Sequence, residues 1–227
     1  MQVAVPLTNQ RPTPSDGASS GQYSAVMFDF GGVLTTSLLA GFQAFGDKYG
    51  NRDLPLKILG TKGSASAKLL GAHEEGRISA TEFEQGYHEE LAEHGLQVPD
   101  RGTIEEIQSY LHPDRETIDL VAEIRQAGIP TGLLSNSFGD NTYAGFDLES
   151  MFDAVTISGV IGARKPSRVA YLTACQKLEV APEQTVMIDD LQHNLDAATR
   201  LGMGAIRHTD ATSTRAQLSD LLSNYSV

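Results

Sequence analysis

The chain has 227 residues, 40% of them hydrophobic and 20% charged, enough to bury a substantial core and too apolar for global disorder. Its formal net charge of −12 excludes a general nucleic-acid binder, because phosphate backbones are held by clustered Lys and Arg. A small phosphorylated ligand remains admissible, since it needs only one local positive pocket.

Residues 1–22 are rich in Pro, Ser, Thr and Gly and lack the basic start and apolar run of a signal peptide, so they read as a disordered leader. The run YSAVMFD at 23–29 ends in an acid followed by Gly31 and Gly32, the pattern of a buried strand entering a glycine-rich loop. Residues 38–112 carry helical pieces at 38–49, 64–70 and 81–93 and no convincing strand, which reads as an all-helical lid over the sheet's carboxyl edge. An amphipathic helix at 114–127 stops at Gly128, a natural C-cap. Strand-like runs follow at 130–135, 154–158, 185–189 and 204–207, separated by helical patterns at 167–178, 194–201 and 213–222. Strands alternating with helices predict an α/β fold, a Rossmann-like parallel sheet flanked by helices. Cys175, the single cysteine, permits no internal disulfide, fits a reducing, cytoplasmic setting and reads as a buried helix residue. Apolar runs stay well short of the ~20 residues that span a bilayer, so no membrane association is expected.

In doubly wound sheets the ligand crevice lies beyond the carboxyl ends of the strands. Those ends carry Asp29, Ser135 with Asn136, and Asp189 with Asp190, and Lys165 sits in the loop GARKPS. A carboxylate can attack phosphorus and split a hard hydrolysis into two easier steps. Mg²⁺ favours carboxylate and phosphate oxygens, and two adjacent acids at a strand end repel unless a cation sits there. A lysine, a hydroxyl and the backbone N–H groups after Asp29 can hold the remaining phosphate oxygens.

The order of VMFDFGGVLTTS at 26–37, GLLSNS at 132–137, GARKPSRVAY at 162–171 and VMIDDLQHNLDAATRLGM at 186–203 resembles the haloacid dehalogenase superfamily. The branch it looks most like contains the phosphatase domain of soluble epoxide hydrolases and bacterial sugar-phosphate phosphatases. The resemblance implies a core at 23–37 and 113–227 with a helical cap at 38–112. It implies an Mg²⁺-dependent phosphatase acting on a small phosphorylated metabolite, such as a sugar phosphate, through an aspartyl-phosphate. By position, Asp29 matches the nucleophile and a metal ligand, the Gly31 carbonyl another ligand, and Asp190 the direct carboxylate ligand. Asp189 matches an acid that orients metal-bound water, with Asn194 bonding Asp190 or the loop. Phosphate would be held by Phe30, Gly31, Ser135, Asn136 and Lys165, the lysine also steadying the nucleophile.

One departure stands out. Phosphatases of this family usually place a general acid/base aspartate where this chain has Gly31. Such a group commonly supplies ~10²–10⁴-fold in rate. Some relatives share the Asp-x-Gly pattern, and sugar-1-phosphates, with better leaving groups, depend less on it. His73 could substitute but reads as a surface histidine; Arg77 could reach a substrate group but reads as a solvated arginine. Two rivals follow: a metal-independent dehalogenase-type hydrolase, disfavoured by the retained Asp189-Asp190, and a catalytically weak phospho-ligand-binding protein, kept alive by Gly31.

Overall fold

The computed structural model of the protein describes residues 22–222 and 225. The expected disordered leader lies, apart from Gln22, outside the described residues. In chain order the elements are β1 (Ala25–Phe28), α1 (Leu38–Tyr49), α2 (Leu54–Gly60), α3 (Ala65–Glu74), α4 (Ala80–Glu93) and α5 (Thr103–Ser109). There follow α6 (Arg115–Gln126), β2 (Thr131–Ser135), α7 (Leu148–Met151), β3 (Ala154–Ile157), α8 (Ser158–Ile161) and α9 (Arg168–Lys177). The last are β4 (Thr185–Asp189), α10 (Gln192–Thr199), β5 (Gly204–Arg207) and α11 (Ala211–Leu221).

The five strands form one parallel sheet in the order β3-β2-β1-β4-β5. The continuous apolar runs take the central positions: every residue of β1, β2 and β4 is buried, whereas β3 and β5 at the edges alternate. On one face Val26, Phe28, Leu133 and Ile188 pack against Leu120 and Ile124 of α6 and Leu218 of α11. On the other, Met27, Leu134 and Met187 meet Tyr171 and Cys175 of α9 and Leu195 of α10. Cys175 is thus the buried helix residue that its apolar setting predicts. Each large apolar side chain buried in this way contributes about 1.5–3 kcal/mol.

The chain reverses sheet direction around β1. It runs outward to β2 and β3, then returns to place β4 on the other flank. The crevice between the carboxyl ends of β1 and β4 is therefore the topological switch point, where open α/β sheets bind ligands.

Between β1 and α6 lie five helices and no strand among the described residues. They have their own apolar centre, in which Phe45, Phe83, Tyr87, Leu91 and Ile107 are fully buried. The chain enters and leaves this unit side by side: Thr36 N donates to His112 O at 2.8 Å and Asp114 N to Leu34 O at 2.9 Å. Phe138, from the loop after β2, inserts into the helical centre with its ring tilted against Phe42 at 5.4 Å.

Candidate active site

β1 ends one residue before Asp29, and the backbone then turns sharply through Gly31 and Gly32. Gly32 has a φ of +77°, a left-handed conformation that glycine adopts at little cost. Absence of a side chain there is also a packing requirement, since a Cβ would fall 2.3 Å from Asp190 Oδ2. The loop after the nucleophile-type acid is thus shaped to let the Asp190 carboxylate lie against it.

Lys165 is the hub. Its side chain is 1% exposed, and its Nζ lies 2.6 Å from Asp29 Oδ1 and 2.8 Å from Asp189 Oδ2. Burial alone would lower the lysine pKa, but Asp189 and Asp29 outweigh it and hold the ammonium charged, above its ordinary value. Asn136 fixes the lysine backbone from both sides, accepting from Lys165 N at 2.8 Å and donating to Lys165 O at 3.2 Å.

Asp29 Oδ1 accepts a second bond from Phe30 N at 2.7 Å. Burial pushes the Asp29 carboxyl up to about 8; Lys165 pulls it down, and Asp189 and Asp190 push it further up. Asp189 is fully buried and crowded with donors: Lys165, Leu191 N at 2.9 Å, and Asn194 Nδ2 at 3.0 Å to both oxygens. Asn194 therefore bonds Asp189, not Asp190, because α10 begins so close to β4 that the amide points back to the strand end. Burial, aided by Asp189 and opposed by Lys165, raises the Asp190 carboxyl to about 6. One oxygen from each of Asp29, Asp189 and Asp190 lies within 4.8 Å of the others.

That set suits a hard divalent cation. Three carboxylates face one ammonium, an excess of negative charge that burial makes costly and that a divalent ion would neutralise. Asn194 Oδ1 is buried with no donor, an acceptor free for a cation-bound water.

Ser135, at the end of β2, accepts a 2.9 Å hydrogen bond from Tyr143. Burial pushes the Tyr143 phenol up to about 12, so it stays a donor. Its ring packs edge-on against Phe30 at 4.8 Å. Tyr143 was not foreseen from sequence, since GDNTYAGF reads only as a loop.

Asp29, Phe30, Gly31, Ser135, Asn136, Lys165, Asp190 and Asn194 all line one cavity of about 100 Å³. The helical unit closes it with Leu38 and Leu39 of α1 and Glu74 of α3. Glu74 is the residue that sequence reasoning passed over. Burial raises its carboxyl, opposed by the Arg164 guanidinium with which it pairs. Its neighbours play other parts. His73 is buried, not a surface histidine: Nε2 accepts from Gly139 N at 3.0 Å while the ring stacks on Phe83. With Nε2 engaged by Gly139 and one ring face by Phe83, His73 does not line the cavity. Arg77 is exposed, pairs with Glu75 at 2.8 Å, and does not line the cavity.

The profile of the haloacid dehalogenase-like hydrolases matches residues 23–202, most of the chain. The chain belongs to this family. It is therefore a hydrolase. A sesquiterpene phosphatase of Aspergillus oryzae is 24% identical over 88% of the chain and 97% of its own length. A phosphorylated carbohydrates phosphatase of Thermotoga maritima is 25% identical over 80% of the chain and 83% of its own. Among solved structures, a family enzyme of Bacteroides thetaiotaomicron in complex with magnesium and inorganic phosphate superposes with a TM-score of 0.60. It is 22% identical and covers 82% of the chain and 94% of its own, a likeness of fold.

Proposed function

We propose that this hydrolase is an Mg²⁺-dependent phosphatase of small phosphate monoesters. The observation that carries the reading is the convergence of Asp29, Asp189 and Asp190 around the Lys165 ammonium at the switch point of the sheet. The phosphatase names of the Aspergillus and Thermotoga relatives support it. Residues 23–37 and 113–227 would form the catalytic core and 38–112 the cap, a division supported by the hydrogen-bonded entry and exit segments at Thr36 and His112.

Asp29, the Gly31 carbonyl and Asp190 would hold Mg²⁺, with Asp189 and Asn194 arranging water around it; the ion supplies neutralising charge to the phosphate oxygens. Lys165, Ser135 and the Gly31 N–H group would hold the remaining oxygens, while the Phe30 N–H, expected to bind phosphate too, is engaged with Asp29 Oδ1. With Oδ1 occupied by Lys165 and Phe30, Asp29 presents Oδ2 to phosphorus. As the Oδ2–P bond forms, the bond from phosphorus to the leaving oxygen breaks. Glu74, facing the same cavity, gives that oxygen a proton in place of the aspartate absent at Gly31. Water then attacks phosphorus, Glu74 takes its proton, and Asp29 and inorganic phosphate are released.

The test is phosphate release from acetyl phosphate with Mg²⁺, with EDTA, and by Asp29→Asn. Release that requires Mg²⁺ and falls at least 10³-fold in Asp29→Asn is expected, since the nucleophile is lost outright. Release that survives either change overturns the reading, as does metal-independent halide release from 2-chloropropionate.

A further inference from the structure

We infer that the leaving group is a hydrocarbon, alkyl or isoprenoid, and not a polyhydroxylated sugar. The inference rests on the phosphatase reading, which fixes the phosphate at Asp29 and Lys165, and concerns what fills the rest of that cavity.

Away from the strand-end residues, the apolar wall of the cavity is built from Leu38 and Leu39 of α1, Leu111, Phe138 and Leu191. Leu39 remains 43% exposed, one of three large apolar side chains left so open among the described residues. A single exposed leucine is ordinary, but Leu39 shares this cavity lining with Leu38, Leu111, Phe138 and Leu191, and a shared apolar lining is what a hydrocarbon would cover.

The polar side chains along the same wall are already engaged. Asn136 spends its carbonyl and its amide on the Lys165 backbone. The Thr142 hydroxyl donates to Phe138 O and accepts from Gln108 Nε2 at 3.0 Å. Asn194 directs its amide to Asp189. Glu74 pairs with Arg164. Beyond the phosphate-holding set, a ligand thus meets few open polar groups, namely one Glu74 oxygen, Asn194 Oδ1 and the second N–H of the Asn136 amide. A sugar would bring several hydroxyls into this wall, and each one stripped of water without a partner loses about fivefold or more in affinity. A methylene entering the same wall gains up to about fourfold.

The experiment measures kcat/KM with Mg²⁺ for n-alkyl phosphates of two to eight carbons, geranyl phosphate, glucose 1-phosphate and glucose 6-phosphate, with acetyl phosphate as reference. Expected is a rise of about two- to fourfold per added methylene until the wall is covered, octyl and geranyl phosphate both exceeding the glucose phosphates at least 100-fold. In Leu39→Asn, whose side chain is open enough for the fold to absorb the change, the slope flattens. A flat alkyl series, glucose phosphates that equal octyl phosphate, or a slope unaltered in Leu39→Asn would overturn the inference while Asp29-dependent turnover of acetyl phosphate leaves the phosphatase reading standing. Failure on acetyl phosphate as well strikes the phosphatase reading itself.

Discussion

Gly32 and Asp190 share one space: the Asp190 carboxylate occupies the volume that a side chain at 32 would fill, with Oδ2 only 2.3 Å from the position of a Cβ. Two independent costs therefore meet in Gly32→Ala. The left-handed backbone strains any L-residue by about 1 kcal/mol, and the new methyl displaces an acid proposed to hold the cation. The expected outcome is a tenfold or larger loss of Mg²⁺ affinity by calorimetry, beside a stability loss of only about 1–2 kcal/mol in metal-free urea titrations. Unchanged Mg²⁺ affinity would mean that Asp190 does not ligate.

Lys165→Met removes the single ammonium among three carboxylates, two of them buried. Breaking a buried pair from one side leaves uncompensated charge and costs about 3–5 kcal/mol. Millimolar Mg²⁺ restores part of that loss, because the cation supplies the missing positive charge. Urea midpoints with and without Mg²⁺ measure both effects, and phosphate release stays abolished throughout. A variant as stable as the wild type in EDTA would refute this account of the cluster.

The same cluster gives the metal-free protein a distinctive pH response. Burial raises Asp29 from 3.8 to about 8, so between those values the folded protein holds a proton that the unfolded chain has released. Stability from this source is present at low pH and is lost as pH rises toward about 8. Mg²⁺ favours the ionised acids and cancels the loss, so the gain in melting temperature on adding Mg²⁺ grows between pH 5 and pH 8. The proton belongs to the coupled acids jointly. A gain that shrinks over this range contradicts the arrangement.

Most of this architecture is legible in the chain. The strand-tip residues Asp29, Ser135, Asp189 and Asp190 announce themselves because a parallel sheet places every strand's carboxyl end on one edge, and the buried runs mark which strands are central. Long-range docking is what escapes. His73 looks like a surface residue because nothing local shows that Gly139 and Phe83 will enclose it. Glu74 sits one residue on and faces the cavity only because α3 ends against the loop bearing Arg164. α5 was missed for a related reason: its N-cap is Gly102, with no capping side chain of its own.

Glu84 of α4 does that capping from a distance, accepting from Gly102 N at 3.1 Å and Ile104 N at 2.7 Å. Glu84→Ala leaves two N–H groups near the helical centre without their acceptor, a cost of about 1–3 kcal/mol. Glu84→Gln keeps one acceptor oxygen and loses less. Urea denaturation of both variants reads the difference; equal stability of the two would assign the effect to packing instead of capping.

The role proposed for Glu74 makes a sharper demand, because the residue also anchors the helical unit through Arg164. Loss of an anchor slows every substrate alike. Loss of a proton donor slows only those whose leaving oxygen needs a proton. An alkoxide departing from octyl phosphate needs one badly, whereas acetate departing from acetyl phosphate leaves as a stable anion. Glu74→Gln preserves size and hydrogen bonding to Arg164 while abolishing proton transfer. Its kcat on octyl phosphate should fall about 10²-fold or more, within the range that general acids supply, and the basic limb of the pH profile for that substrate should vanish. The fall on acetyl phosphate should be much smaller. Equal losses on the two esters would reduce Glu74 to an anchor and leave the space above Gly31 without an acid.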